Sequence, residues 1–196
     1  AFIMSLGTKS EFSLRVFFLI FPIISIISMY FLSKYFTSQP LLPTLLLASS
    51  PAFIISSTNI MPDLALLAFY LSSLCTFIYG LDKDDKFLLI LSGFIAGLAT
   101  LTKYTGFTII PLCFFYSYLK RKSSDGLLTI SISLIPPGVW YLHNLIFFKN
   151  AQLIEALCWL KPTFSSFSFN LIGTLGYVGG ITIFPLLFIW LNHCSL

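Results

Sequence analysis

Charged side chains are scarce in this sequence. Asp, Glu, Lys and Arg make up 9% of its 196 residues, where soluble domains carry about 25%. Hydrophobic residues reach 57% and the mean hydropathy is +0.94. A water-soluble fold of this size could not cover its surface with so few charges, which excludes an ordinary soluble domain. Metal-ligating residues are sparse too. Cys75, Cys113, Cys158 and Cys194 lie far apart with no Cys-x-x-Cys pair, and His143 and His193 have no partner at metal-ligand spacing. These spacings argue against a zinc site or a redox pair; isolated cysteines in apolar runs serve as small fillers. A phosphate loop, a Gly-x-Gly-x-x-Gly turn and a Ser nucleophile elbow are all missing. The net charge of +4 is spread over several loops, so nucleic acid finds no basic face.

Long uncharged runs fill the space between the charges: Val16–Ser33, Leu41–Pro62, Leu64–Leu81, Phe87–Thr102, Tyr104–Leu119, Gly126–Phe148 and about Leu171–Leu191. A helix crossing a hydrocarbon core needs about 20 residues, and most of these runs meet or nearly meet that length. In lipid every backbone amide must be paired internally, so such runs are helical. The expected fold is all-α, a polytopic transmembrane bundle of about seven membrane segments forming one transmembrane domain over residues 1–196. No tandem repeat or low-complexity linker interrupts it. The segment Lys149–Asn170 has the composition of an extended external loop.

Two neighbouring runs are short. Phe87–Thr102 and Tyr104–Leu119 are split by Lys103, and each would reach only about 24 Å as a helix. A single long helix would bury Lys103 and send Asp82–Lys86 and Lys120–Lys122 to opposite faces. A hairpin of two short helices would bring those loops to one face. Thr102, Thr105 and Gly106 around the lysine favour a break. The hairpin also gathers Lys34, Lys83, Lys86, Lys120, Arg121 and Lys122 on one side, the pattern of a cytoplasmic face.

Two ionisable residues remain at membrane depth. Asp63 follows Pro62, which suits the first turn of a helix, so the acid would sit at the positive helix end. It reads equally as a helix-start acid near water. Lys103 is costly at this depth and calls for a partner or cavity, unless its stem simply carries the charge to the interface. Gly93-x-x-x-Gly97 reads as a close helix-packing face, Pro136-Pro137 as a bend, and His143, near Trp140 and Tyr141, as an interfacial residue.

Several segments have a familiar look. The stretch Ser57-Thr-Asn-Ile-Met-Pro-Asp63, running into Leu64–Phe69, resembles a segment of the GT-C membrane glycosyltransferases. It is most similar to the dolichyl-phosphate-mannose protein mannosyltransferases and aminoarabinose lipid A transferases (glycosyltransferase family 39). Leu91–Gly106 is similar to the family's Gly-x-x-x-Gly-Leu-x-x-x-Thr-Lys pattern. Gly7–Arg15 resembles the lead into its second transmembrane helix, and Pro136-Pro-Gly-Val-Trp-Tyr141 its Pro-x-x-x-Trp-Tyr helix end. The four matches stand in family order.

The resemblance implies a hexosyl- or pentosyltransferase that moves a sugar from a polyprenyl-phosphate donor to a protein, lipid or glycan acceptor on the external or lumenal side. It assigns Asp63 to the catalytic site, at the family's second acidic position, where it would shape the donor and acceptor sites. Lys103, Arg15 and Tyr104 become substrate-binding residues, with Lys103 or Arg15 meeting phosphate. The family's general base belongs to a first external loop that would precede Gly7. The chain is therefore expected to be a fragment lacking the first helix and that loop, and to be inactive alone. A divalent metal ion is the one cofactor the reading leaves room for. The expected partners are the lipid-linked sugar and membrane lipids, with no nucleic acid, and the expected location is the plasma membrane of a prokaryote rather than the endoplasmic reticulum. Two other readings stay open: a secondary transporter or flippase-like protein, whose substrate paths also use buried charges and Gly-interrupted helices, and a structural membrane subunit without chemistry.

Overall fold

A helix pairs its backbone amides within itself, which is what an apolar run in lipid requires. The computed structural model describes residues 11–148 and holds only helices and turns among them. Helices α1 (Glu11–Phe18) and α2 (Ile20–Phe36) lead into α3 (Leu41–Ser49), α4 (Pro51–Thr58) and α5 (Pro62–Lys83). After these come α6 (Lys86–Thr102), a 3₁₀ turn (Tyr104–Thr108), α7 (Ile109–Leu119), α8 (Ser123–Ser133) and α9 (Ile135–Phe148). Among the described residues three helical stretches are long and apolar enough to cross a membrane: Leu14–Phe36, Pro62–Lys83 and Ser123–Phe147. Lys86–Thr102 and Tyr104–Leu119 are shorter apolar helices, as the lysine break predicts. The run at about Leu171–Leu191 and the loop Lys149–Asn170, with Cys158, Cys194 and His193, lie outside the described residues.

The run Leu41–Pro62 departs from the expectation of one segment. It forms two helices, α3 and α4, that meet at 61°. Pro51 lacks an N–H and disfavours a helical conformation in the residue before it. Ser50 accordingly adopts φ −66°, ψ 133°, and its hydroxyl caps the new helix by accepting from the Phe53 N–H at 3.3 Å.

Helix α5 packs between α2 and α6, and α8 lies against both α6 and α7. Phe77, Ile78, Leu81, Leu89, Ala96, Ile109 and Cys113 form one apolar core cluster. Elsewhere small hydroxyl residues turn inward. Ser25, Ser73, Ser92, Ser117, Thr129 and Ser133 are buried, whereas Phe31, Phe87, Phe94, Phe115 and Phe147 are exposed. Lipid as the outer solvent explains that inversion, because small residues let helices approach and large apolar ones gain nothing by hiding. Ser73 and Ser92 show the principle at one contact. The Ser73 hydroxyl donates to the Ser92 carbonyl and the Ser92 hydroxyl to the Ser73 carbonyl, both at 2.9 Å, tying α5 to α6.

The pair α6 and α7 folds as a hairpin. Lys120 reaches Asp82 at 3.5 Å, while Lys122 pairs with Asp84 and donates to the Leu81 carbonyl, an orphan at the end of α5. One straight helix from Lys86 to Leu119 would hold these loops about 50 Å apart. Lys120 also donates to the Tyr35 hydroxyl at 3.1 Å, which brings the end of α2 to the same side. That bond first, then the electrostatics of Tyr116 and Asp82, push the Lys120 ammonium above the usual lysine range, so it stays charged at any physiological pH.

The hairpin sets up a labelling result. With Cys75, Cys113, Cys158 and Cys194 replaced, single cysteines introduced as Asp84→Cys and Lys122→Cys are expected to react with an impermeant maleimide from the same side of sealed vesicles. Reaction from opposite sides would contradict the hairpin.

Candidate functional site

The opposite end of the bundle carries the polar residues singled out in the sequence. Met61 is extended (φ −116°, ψ 136°), as the residue before a proline tends to be, and Pro62 opens α5. Asp63 therefore falls in the first turn of α5, where the helix dipole favours a negative charge. Forty residues on, α6 stops at Thr102. The Thr100 and Thr102 hydroxyls donate back to the Gly97 and Leu98 carbonyls at 2.7 and 2.9 Å. Lys103 then leaves the helix in an extended conformation (φ −158°, ψ 142°). The 3₁₀ turn behind it folds so tightly that Gly106 lies against the Ala99 carbonyl, where a Cβ would come within 2.5 Å.

These two chain breaks bring the charges together. The Lys103 ammonium donates to Asp63 Oδ1 at 2.6 Å, with side chains 47% and 52% exposed. An ion pair so accessible stabilises a fold by only about 0–1 kcal/mol. Its physical effect is to fix the position of two charges at one end of the bundle. Arg15 reaches the same end of the bundle, where its Nη1 donates to the Thr58 carbonyl at 3.2 Å, at the negative end of α4.

Beside the pair lies a pocket of about 310 Å³, lined by Lys103, Tyr104, Phe107, Trp140, Tyr141 and Asn144 among others. Lys103 thus has Asp63 on one side and an aromatic-walled cavity on the other. Asp63 is not part of the pocket wall; it touches Lys103, which is. The indole of Trp140 stacks on the His143 ring at 6.0 Å and 13°, and His143 lies 4.6 Å from the Phe147 ring.

The ordered motifs, the hairpin and this cluster of charge fit one known group. A family model described as dolichyl-phosphate-mannose-protein mannosyltransferase matches residues 1–140. The chain belongs to that family. No curated protein and no solved structure matches it. Membership makes the chain a membrane glycosyltransferase of the mannosyltransferase type, a family that uses lipid-linked sugar donors. The matched residues include Arg15, Asp63, Lys103, Tyr104 and Trp140.

In the sequence Trp140 and Tyr141 belong to a helix-end motif that includes neither Phe107 nor Asn144. The signal for α9 was present in the sequence. Pro137, Trp140, Tyr141 and Asn144 stand at i, i+3, i+4 and i+7, the spacing of one helix face, and all four line the pocket. Among the described residues no group of three or more His, Cys, Asp or Glu side chains is placed to hold a metal ion, and the Asp63 carboxylate accepts from Lys103.

Proposed function

We propose that this chain carries part of the donor site of a membrane glycosyltransferase. The enzyme takes a sugar from a polyprenyl-phosphate donor and passes it to a protein, lipid or glycan acceptor at the external or lumenal face. The observation that carries the reading is the Lys103–Asp63 pair, 2.6 Å apart at the edge of an aromatic-walled pocket. In such a transfer an acceptor oxygen attacks the anomeric carbon while the bond from that carbon to the phosphate oxygen breaks. The electron pair leaves with the polyprenyl phosphate, and a fixed cation stabilises the developing charge. Lys103 is suited to that task, Asp63 to holding it in place, and Arg15 and Tyr104 to flanking the head group. The acceptor proton goes to a general base, expected in the family's first external loop. The basic end with Lys120–Lys122 then faces the cytoplasm.

The test uses the full-length enzyme in proteoliposomes with radiolabelled polyprenyl-phosphate sugars. Sugar is expected to move from lipid to an acceptor, with polyprenyl phosphate released in equal amount. Movement of the intact lipid-linked sugar across the bilayer without cleavage would favour a flippase-like protein instead.

A further inference from the structure

Resting on that reading of the donor site, we infer that one face of α9 recognises the sugar of the donor, with Asn144 bonding a ring hydroxyl and Trp140 covering an apolar face of the ring. The remaining wall, at Lys103, serves the phosphate.

Four observations carry the division. Asn144 is half-buried and lines the pocket, yet its carboxamide has no hydrogen bond among the described residues. A carboxamide offers two N–H donors and an acceptor oxygen, which matches a sugar hydroxyl that both donates and accepts. A phosphate only accepts, and is better met by the lysine. Trp140 and Tyr141 lie one helical turn away on the same face and supply broad apolar surfaces with polar edges. The Trp140 ring is also held in place, since it stacks nearly parallel on His143, which in turn rests near Phe147. A ring fixed before binding loses little freedom when it is covered.

The pocket size agrees with the assignment. About 310 Å³ is at the lower end of small-molecule sites, enough for one hexose or pentose and too small for the polyprenyl tail. The tail is left to the lipid-facing surface.

The experiment measures binding of two lipids to the full chain in detergent: a polyprenyl monophosphate without sugar and the same lipid carrying a hexose. Asn144→Ala is expected to weaken binding of the sugar-bearing lipid by about five- to tenfold, the worth of one hydrogen bond, and to leave the sugar-free lipid unchanged. Trp140→Ala should act with the same selectivity, and Trp140→Phe should recover part of the loss. Lys103→Ala should weaken both lipids. Equal weakening of both lipids by Asn144→Ala, or no effect on either, overturns the sugar-reading role while leaving the donor site intact. Failure of the wild-type chain to bind either lipid overturns the donor site itself, and this inference with it.

Discussion

Lys103→Ala in the full-length enzyme is expected to lower turnover by about 10²- to 10³-fold, the range seen when a preorganised donor to developing charge is removed. Lys103 sits at the pocket edge and is held by Asp63 at 2.6 Å, so its charge is in place before the phosphate leaves. Lys103→Arg keeps the charge on a longer, planar group and should retain more activity than alanine, though less than the wild type. Asp63→Asn removes the ionic half of the pair and frees the lysine to move. It should therefore raise KM and lower kcat together, by less than the loss of Lys103.

A charge exchange separates positioning from direct contact. In the double variant Asp63→Lys, Lys103→Asp the pair can reform with the cation on α5. If the pair served only to join α5 to the end of α6, the exchange would recover activity. If the cation must stand at the pocket edge, the exchange recovers stability alone, and initial rates stay as low as in Lys103→Ala. Initial rates with a labelled lipid-linked sugar and melting curves on the same preparations decide between them. An Lys103→Ala enzyme with more than half the wild-type rate would remove Lys103 from the site.

Much of this arrangement was legible in the sequence because charges in an apolar chain are informative. Lys103 divides a run that would otherwise be one helix, and the hairpin follows from its position and from the residues that break the helix beside it. Pro62 located the start of α5 and so placed Asp63 in its first turn. The bend at Ser50-Pro51 was also written in the chain, but the unbroken apolar character of Leu41–Pro62 concealed it. Hydropathy reports how long a run is, and says nothing of whether proline divides it. The pairing of helices was beyond reach for a different reason. That α6 packs on α8, or that Asn144 shares a pocket with Lys103, depends on contacts between distant segments, and a hydropathy profile carries no information about those. The spacing of Trp140 and Asn144 marked a face without saying what it faced.

Gly97→Leu is expected to abolish accumulation of the folded protein, and Gly97→Ala to leave it folded but less stable by about 1–3 kcal/mol, the usual cost of overpacking. A Cβ at Gly97 would lie 2.6 Å from Pro136 Cγ and 2.9 Å from the Ser133 carbonyl oxygen. Neither neighbour yields easily, since one is a closed ring and the other is backbone. The Ser133 carbonyl would bond the amide of residue 137 in an unbroken helix, but Pro137 has no N–H to offer. The joint between α8 and α9 thus already lacks a rung where Gly97 presses on it. Gly93 repeats the contact one turn earlier, where a Cβ would meet the Thr129 carbonyl at 2.6 Å and Ile132 Cβ at 2.9 Å. Thermal melts in detergent should show Gly93→Ala and Gly97→Ala lowered by about 2–12 °C, from about 2–4 °C per kcal/mol at this chain length. Gly138→Ala is the control, because a Cβ there meets nothing within 4 Å; it should melt at or slightly above the wild type. Function should fall more steeply than stability. The pocket is walled by the end of α6 on one side and by α9 on the other, so a shift of either helix at Gly97 moves Lys103 relative to Trp140 and Asn144. A folded Gly97→Ala protein should bind the lipid-linked sugar more weakly than its melting point alone accounts for. Full stability and full binding in that variant would show that the two helices do not need this contact to form the pocket.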